Sequence, residues 1–353
     1  MAAGRRLLSD ALDGATAGRL APEAWHDLER DLVRRLAGLA GQALIEAFDR
    51  FRGGPPEPFR VRLAESGVRR TVTRYQDFIA GLLAGDPFAG RWPVLARLAD
   101  TTVELWSRNA AELARRLRDD ELPFQGPVAR VRAGLSDPHD GGRTVHALTF
   151  ASGGELIYKP RGLGLEAGFA RLLAWCGERG LSLDLRSPRG IDRGTHGWAE
   201  PISPASCADE AAARRFHRRA GMLLGVLHAF GSRDCHCENL VARGEHPVLV
   251  DLEAWMPVRW RKWLAGEGLG DAWYQAARRL ERSVLATGLL PQWREGPRRG
   301  ELRNVGGLGG GRPERRLRRV WCNVNTDQMV WAWREAEEGA GSNVPTLDGR
   351  PLE

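Results

Sequence analysis

Lysine is almost missing from this sequence. Of its 52 basic residues two are lysines, Lys159 and Lys262, and the other 50 are arginines. Together with 43 glycines and 20 prolines, that imbalance is the residue usage of a GC-rich genome rather than the mark of a charge-driven function. Cysteine is scarce as well. Cys176, Cys207, Cys235, Cys237 and Cys322 are too few and too scattered for a disulfide scaffold, which points to a reducing, cytoplasmic setting. Long apolar runs are absent: stretches such as Gly221–Phe230 fall well short of the ~20 residues a bilayer requires. Met1–Leu20 has no continuous apolar segment of the signal-peptide kind. What is present is material for a core. A hydrophobic content of 42% over 353 residues excludes wholesale disorder and suggests two domains or one elaborated one.

The net charge of +7 raises the question of a nucleic-acid partner, and the charge pattern answers against it. Arginine alternates with acid, as in Asp27-Leu28-Glu29-Arg30-Asp31, the pattern of solvated helix faces with pairs four residues apart. The densest basic stretch, Arg312–Arg319, contains a single acid, Glu314.

Residues 1–126 read as helices. Trp25, Leu28, Leu32, Leu36 and Leu39 recur at three- and four-residue spacing, and similar patterns cover Tyr75–Leu83, Trp92–Leu98 and Val103–Leu117. No catalytic constellation occurs here, so this region reads as helical support or peptide docking. The pattern changes after Pro127. Val128–Ala133, Val145–Phe150 and Glu155–Lys159 read as short strands joined by turns at Asp137–Gly142 and Ser152–Gly154. An amphipathic helix follows over Leu165–Glu178, and strand, strand, helix is how the N-lobe of a kinase-like fold begins; this lobe is assigned to 127–205. In residues 206–353 a helix is expected over Asp209–Phe230, stopped by Gly231. A polar loop then enters an apolar strand, His246-Pro247 turns, and Val248–Asp251 forms a buried strand ending in a carboxylate. Ala272–Leu285 and Gln328–Glu338 are expected as helices. Gly306–Gly311, which lacks the Gly-Lys-Ser/Thr of a P-loop, reads as a mobile segment. Trp255, Trp260, Trp263 and Trp273 read as packing.

The sharpest chemical feature is Asp234-Cys235-His236-Cys237-Glu238-Asn239, followed 17 residues after Asp234 by Asp251. Phosphoryl transfer needs a carboxylate to orient or deprotonate a hydroxyl and oxygen ligands for Mg²⁺, often an Asn and an Asp. A loop supplying Asp234 and Asn239, then a strand ending in Asp251, delivers those groups to one place. Lys159 closes an upstream strand, where a compact ammonium suits nucleotide phosphates; in a chain that otherwise uses arginine, a lysine there is notable, although Lys262 has no such context. Asp137 and Asp140 lie in a turn that is either ordinary or folded over phosphates. The loop has two rival readings. A metal site at Cys235-His236-Cys237 puts the cysteines on the opposite face from the histidine and lacks a second ligand pair. A Cys–His nucleophile lacks an oxyanion hole.

Tyr158-Lys159-Pro160-Arg161-Gly162-Leu163, the Asp234/His236/Asn239 loop, Pro247–Glu253 and Asn343–Gly349 together closely resemble the dehydratase domain of class II lanthipeptide synthetases, and the resemblance covers essentially the whole chain. It implies an α+β protein: a helical N-terminal region followed by a lipid-kinase-like bilobal core, incomplete at the C-terminus. It implies ATP and Mg²⁺ as cofactors and a ribosomally made precursor peptide, leader plus core, as partner. Ser and Thr of that peptide would be phosphorylated and phosphate then eliminated to leave dehydroamino acids. Lys159 would contact ATP phosphates, Asp137 would belong to the phosphate-covering loop, and Glu166 would pair with the lysine. Asp234 would be the catalytic base with His236 assisting, and Asn239 and Asp251 would ligate Mg²⁺. The family's elimination residues and its zinc-dependent cyclase lie further along than Glu353, so the expectation is a truncated chain in which elimination is doubtful, with a possible partner chain supplying the missing parts. The competing expectations are an inactive or split-gene binding module that captures a leader peptide or partner chain, and a kinase-like enzyme acting on a small molecule.

Overall fold

The structure is a computed structural model that describes residues 16, 18–67, 71–84, 90–257, 271–296, 302–309, 314–338 and 341–352. Lys262, Trp260, Trp263, Gly310, Gly311 and Arg312 lie outside the described residues. Among the described residues, four helices precede the first three strands, and helices then alternate with antiparallel strand pairs, an α+β arrangement. The chain divides into two compact units: residues 1–160 with 317–335, and residues 161–316 with 336–353.

The first unit is built on α1 (Pro22–Arg52), followed by α2 (Pro58–Glu65), α3 (Thr73–Leu83), α4 (Pro93–Asp119) and strands β1 (Val128–Arg132), β2 (His146–Phe150) and β3 (Glu155–Lys159). Pro22 opens α1, where its missing N–H costs nothing, and Gly53 closes it in the left-handed conformation at φ 85°. The sequence suggested two helical stretches over 92–117, but α4 is one continuous helix. Its polar interruption is absorbed because Thr101 and Thr102 donate back to the Arg97 and Leu98 carbonyls at 2.9 and 2.7 Å. Leu113, Ala114 and Leu117 on α4 are fully buried.

Two buried acids on one face of α1 attach it to the strands. Asp27 accepts from Arg130 through both carboxylate oxygens, at 2.7 and 3.0 Å, and from the Val131 N–H at 3.1 Å. Asp31 holds Arg35 at 2.7 Å, and Arg35 in turn donates to the Gly142 carbonyl and the Thr144 hydroxyl. The strands form an antiparallel set, β1 beside β2 and β2 beside β3, with His146 opposite Tyr158.

The expected helix over Gln328–Glu338 is instead a strand. β10 (Glu314–Cys322) pairs with β11 (Val330–Glu338). The alanines and glutamates of that stretch favour a helix locally, but Trp331 finds a ring partner in the ribbon. Trp331 stacks on Trp321 with ring centroids 5.1 Å apart, and Arg319 lies over Trp331. Gly41 makes room for the ribbon on α1: a Cβ there would come within 2.9 Å of the Trp321 ring.

The second unit contains α5 (Gly164–Glu178), β4 (Gly190–Asp192), β5 (Gly197–Ala199), α6 (Glu210–Ala229), β6 (Leu240–Arg243) and β7 (His246–Leu249). Then come α7 (Asp271–Glu281), a 3₁₀ turn at Val284–Thr287, β8 (Trp293–Glu295), β9 (Leu302–Asn304), β12 (Thr346–Leu347) and β13 (Arg350–Pro351). Asp209 caps α6 by accepting from the Ala212 N–H at 2.6 Å, and Gly231 leaves it at φ 67°. His246-Pro247, expected as a turn, begins β7; the chain reverses just before it, at Gly244-Glu245, with Gly244 at φ 59°. Pro247 is tolerated because the ribbon has only two strands, so its missing N–H breaks no central ladder. The core joins α5 and α6 to the β6–β7 hairpin through Phe169, Leu173, Leu223, Leu227, Leu240 and Leu249. Trp255 and Cys235 belong to it. Trp175 on α5 is about half exposed, with Arg179 over its ring.

Candidate functional site

The loop between α6 and β6 is fixed at nearly every residue. The Arg233 N–H donates to the Ala254 carbonyl, that of Cys235 to Thr287 and that of Cys237 to Val305, at 2.9, 2.9 and 3.1 Å. His236 bridges to Gly306. The glycines of that turn are required by closeness: a Cβ on Gly306 would stand 2.1 Å from the Leu290 carbonyl oxygen, and one on Gly307 2.4 Å from that of Cys235. The buried Asn343 amide donates to the Gly307 and Gly309 carbonyls at 2.9 and 2.7 Å. Gly306–Gly309, expected to be mobile, is therefore a tied turn that supports the loop.

This lacing holds Asp234 in the left-handed region at φ 65°. Aspartate tolerates that conformation better than most residues, and such backbone concentrates where function requires it. The side chains of Asp234, His236 and Asn239 meet. The Asn239 amide nitrogen donates to the Asp234 carbonyl at 2.8 Å and lies 3.4 Å from its carboxylate. The Glu238 N–H donates to His236 Nδ1 at 3.2 Å, so a neutral ring carries its proton on Nε2, the nitrogen that stands 3.5 Å from Asp234 Oδ1. The Asp234 side chain is 64% exposed, which leaves it open to an outside partner.

Asp251 joins from the other strand of the hairpin. The Val250 N–H donates to the Asn239 carbonyl at 2.9 Å, which continues the β6–β7 ladder by one pair and brings Asp251 to the end of the hairpin that carries Asn239. Both are oxygen donors of the kind Mg²⁺ takes, usually one or two carboxylates completed by phosphate and water. With Asn239 donating through nitrogen, its amide oxygen is left for a ligand, and Asp251 uses Oδ1 for its hydrogen bonds to Arg161 and the Glu253 N–H. These two residues fit an incomplete Mg²⁺ site. Among the described residues, no three or more His, Cys, Asp and Glu side chains are grouped to hold a metal ion by themselves.

Cys235 is core rather than nucleophile: it is 3% exposed, and burial, with the Asp234 charge beside it, pushes its thiol up to about 12. Glu166, in the first turn of α5, is buried and makes a two-oxygen ion pair with Arg161. Arg161 also reaches Asp251 and Glu253. In the sequence Arg161 stands only as part of a motif; its partners Asp251 and Glu253 lie 90 and 92 residues away, beyond any local signal. In the other unit, Lys159 ends β3 and is 6% exposed. Asp137 is exposed in a turn where its carbonyl accepts from the Ser136 hydroxyl, with Asp140, Gly141 and Gly142 all at positive φ.

A family model for a domain of unknown function, DUF4135, matches residues 92–353, from the start of α4 to the end of the chain. The chain belongs to the DUF4135 family. The matched region includes Lys159, the Asp234–Asn239 loop and Asp251. Over 165 residues, 44% of its length, the DUF4135 chain is 27% identical to the lacticin 481/lactococcin biosynthesis protein LcnDR2 of Lactococcus lactis subsp. lactis. The alignment spans 17% of that protein. No helix among the described residues of the DUF4135 chain is long and apolar enough to cross a membrane.

Proposed function

We propose that this chain acts in lanthipeptide maturation as an ATP- and Mg²⁺-dependent kinase of Ser and Thr in a ribosomally made precursor peptide, with a lipid-kinase-like core. The observation that carries the reading is the mutual contact of Asp234, His236 and Asn239 on one rigid loop, at the end of a hairpin that also brings Asp251. A biosynthesis protein of the lacticin group among its relatives supports the peptide as substrate.

In this reading Asp234 accepts the proton of the Ser or Thr hydroxyl as its oxygen bonds to the γ-phosphorus and the bond to the departing ADP breaks. His236, with its proton on Nε2, faces the Asp234 carboxylate and holds it in place. Asn239 and Asp251 would hold Mg²⁺, which when bound neutralises charge on the phosphate oxygens. Lys159 would pair with those phosphates as a point charge, and Asp137 lies in the turn that would cover them. Phosphate elimination is assigned to none of these residues.

The test is incubation of the full chain with precursor peptides, ATP and Mg²⁺, read by mass spectrometry. The expected product gains about 80 Da per phosphate added. Leader-peptide binding without any mass gain or ATP turnover would replace the kinase reading with that of a binding module, and phosphorylation of a metabolite in place of a peptide would move the substrate to a small molecule.

A further inference from the structure

Arg161 draws together three carboxylates from two separate segments. Its Nε donates to Glu253 at 2.6 Å, and its two terminal nitrogens reach the two oxygens of Glu166 at 3.1 and 2.8 Å. The nitrogen nearer Glu166 Oε1 also donates to Asp251 Oδ1 at 3.0 Å. Glu166 belongs to the first turn of α5, while Asp251 and Glu253 follow β7. Three acids around one guanidinium would repel each other without it, and only a planar fork can meet one carboxylate with two nitrogens while spanning to two more. Arginine is the default cation of this chain, so the inference rests on the geometry and not on the residue type. The anchor is Glu166, whose side chain is 9% exposed, against 35% for Asp251 and 49% for Glu253. The bound Asp251 oxygen also accepts from the Glu253 N–H at 3.2 Å. Oδ1 is thus held twice, and Oδ2 makes none of the hydrogen bonds among the described residues.

We propose that Arg161, anchored by Glu166, is a positioning residue that fixes the Asp251 carboxylate so that its second oxygen is presented to a divalent cation. The proposal rests on the reading of Asp251 as a cation ligand. Partners that orient a ligating carboxylate typically contribute 10- to 100-fold to metal affinity.

The experiment titrates Mn²⁺ into the full chain with ADP present and follows free Mn²⁺ by electron paramagnetic resonance. Wild type should bind; Asp251→Asn should abolish binding. Arg161→Ala should weaken it by about 10- to 100-fold, Arg161→Lys should restore part of that loss, and Glu166→Gln should weaken it by several-fold. Arg214→Ala, which removes an exposed pair with Glu210, should leave it unchanged. In the kinase assay the Mg²⁺ requirement of Arg161→Ala should rise, with high Mg²⁺ recovering the rate. Mn²⁺ binding by folded Arg161→Ala that equals wild type overturns the proposal while leaving the Asp251 assignment standing. Absent binding by wild type, or unchanged binding by Asp251→Asn, overturns that assignment first and the proposal with it. If Arg161→Ala fails to fold by circular dichroism, Glu166→Gln decides, and unchanged binding there overturns the proposal.

Discussion

The two units use the same functional group in opposite ways. In the first, Asp27 and Asp31 on α1 are 8% and 5% exposed and fully engaged by arginines and a backbone N–H. In the second, Asp234 and Asp251 have side chains 64% and 35% exposed, and each is held without being used up. A satisfied buried acid is a structural staple, since every lone pair it has is matched within the protein. An acid gripped through one side and open on the other is available to an outside partner. Burial together with hydrogen-bond count separates these two kinds of acid, where charge alone does not.

The sharpest way to break that comparison is Asp234→Asn. It keeps the size and the neighbours of the side chain and removes its ability to take a proton. Loss of a general base costs about 10²–10⁴ in rate, while an exposed polar swap shifts stability by no more than about 0.5 kcal/mol. Phosphate incorporation should therefore fall by about 10²–10⁴ with the thermal midpoint unmoved. An active Asp234→Asn variant would remove Asp234 from the chemistry.

Local features of the sequence carried the helices, the β1–β3 strands and the gathering of Asp234, His236 and Asn239. All of these depend on residues close along the chain: the loop residues enter a single hairpin, and the turn glycines and the cap at Asp209 act within a few positions. What the sequence hid depends on partners outside the segment itself. β11 is a strand because of β10, which stacks Trp321 on Trp331. The Gly306–Gly309 turn is ordered because Asn343 and the Leu290 and Cys235 carbonyls close on it. Arg161 acquires its meaning from acids 90 and 92 residues away.

A second prediction concerns a buried base in the first unit. His146 lies stacked on Tyr158 beside a small cleft that Asp31, Arg35 and Glu112 also line. Burial lowers its pKa to about 4, with the Arg35 charge adding to the fall and the Asp31 charge opposing it. The unfolded chain, with the ordinary value of 6.5, binds this proton more readily than the folded one. Stability of the first unit should thus be unaffected above pH 6.5, decline as pH falls from 6.5 towards 4, and level off below. The total loss is at most about 3 kcal/mol. Hydrogen exchange of the β2 and β3 amides reads it locally, and His146→Phe, which keeps a ring against Tyr158, should abolish that part of the pH dependence. An identical decline in the variant would assign it to other groups.

The smallest effect gives the finest comparison, because Asp27→Asn is the same chemical change as Asp234→Asn in the other unit. An amide can accept from Arg130 or from the Val131 N–H with its one oxygen, but its nitrogen then faces a donor. Loss of one such hydrogen bond costs about 0.5–1.5 kcal/mol, somewhat more where a charge is involved; Arg130 is 62% exposed and returns to water, which keeps the cost near that range. The hydrogen bond from Arg130 leads the influences that hold the Asp27 carboxyl below its ordinary value, against the opposing effect of burial. Its contribution is therefore complete above the unfolded carboxylate pKa of 3.8 and is lost as pH falls through the lower folded value. Asp27→Asn should consequently lower stability by a constant amount between pH 5 and 7, with phosphate incorporation unchanged, and the gap to wild type should close only below about pH 4, outside most of the window in which His146 acts. A variant that instead loses activity at full stability would show that the staple in the first unit reaches the chemistry, and the division between structural and presented acids would have to be redrawn.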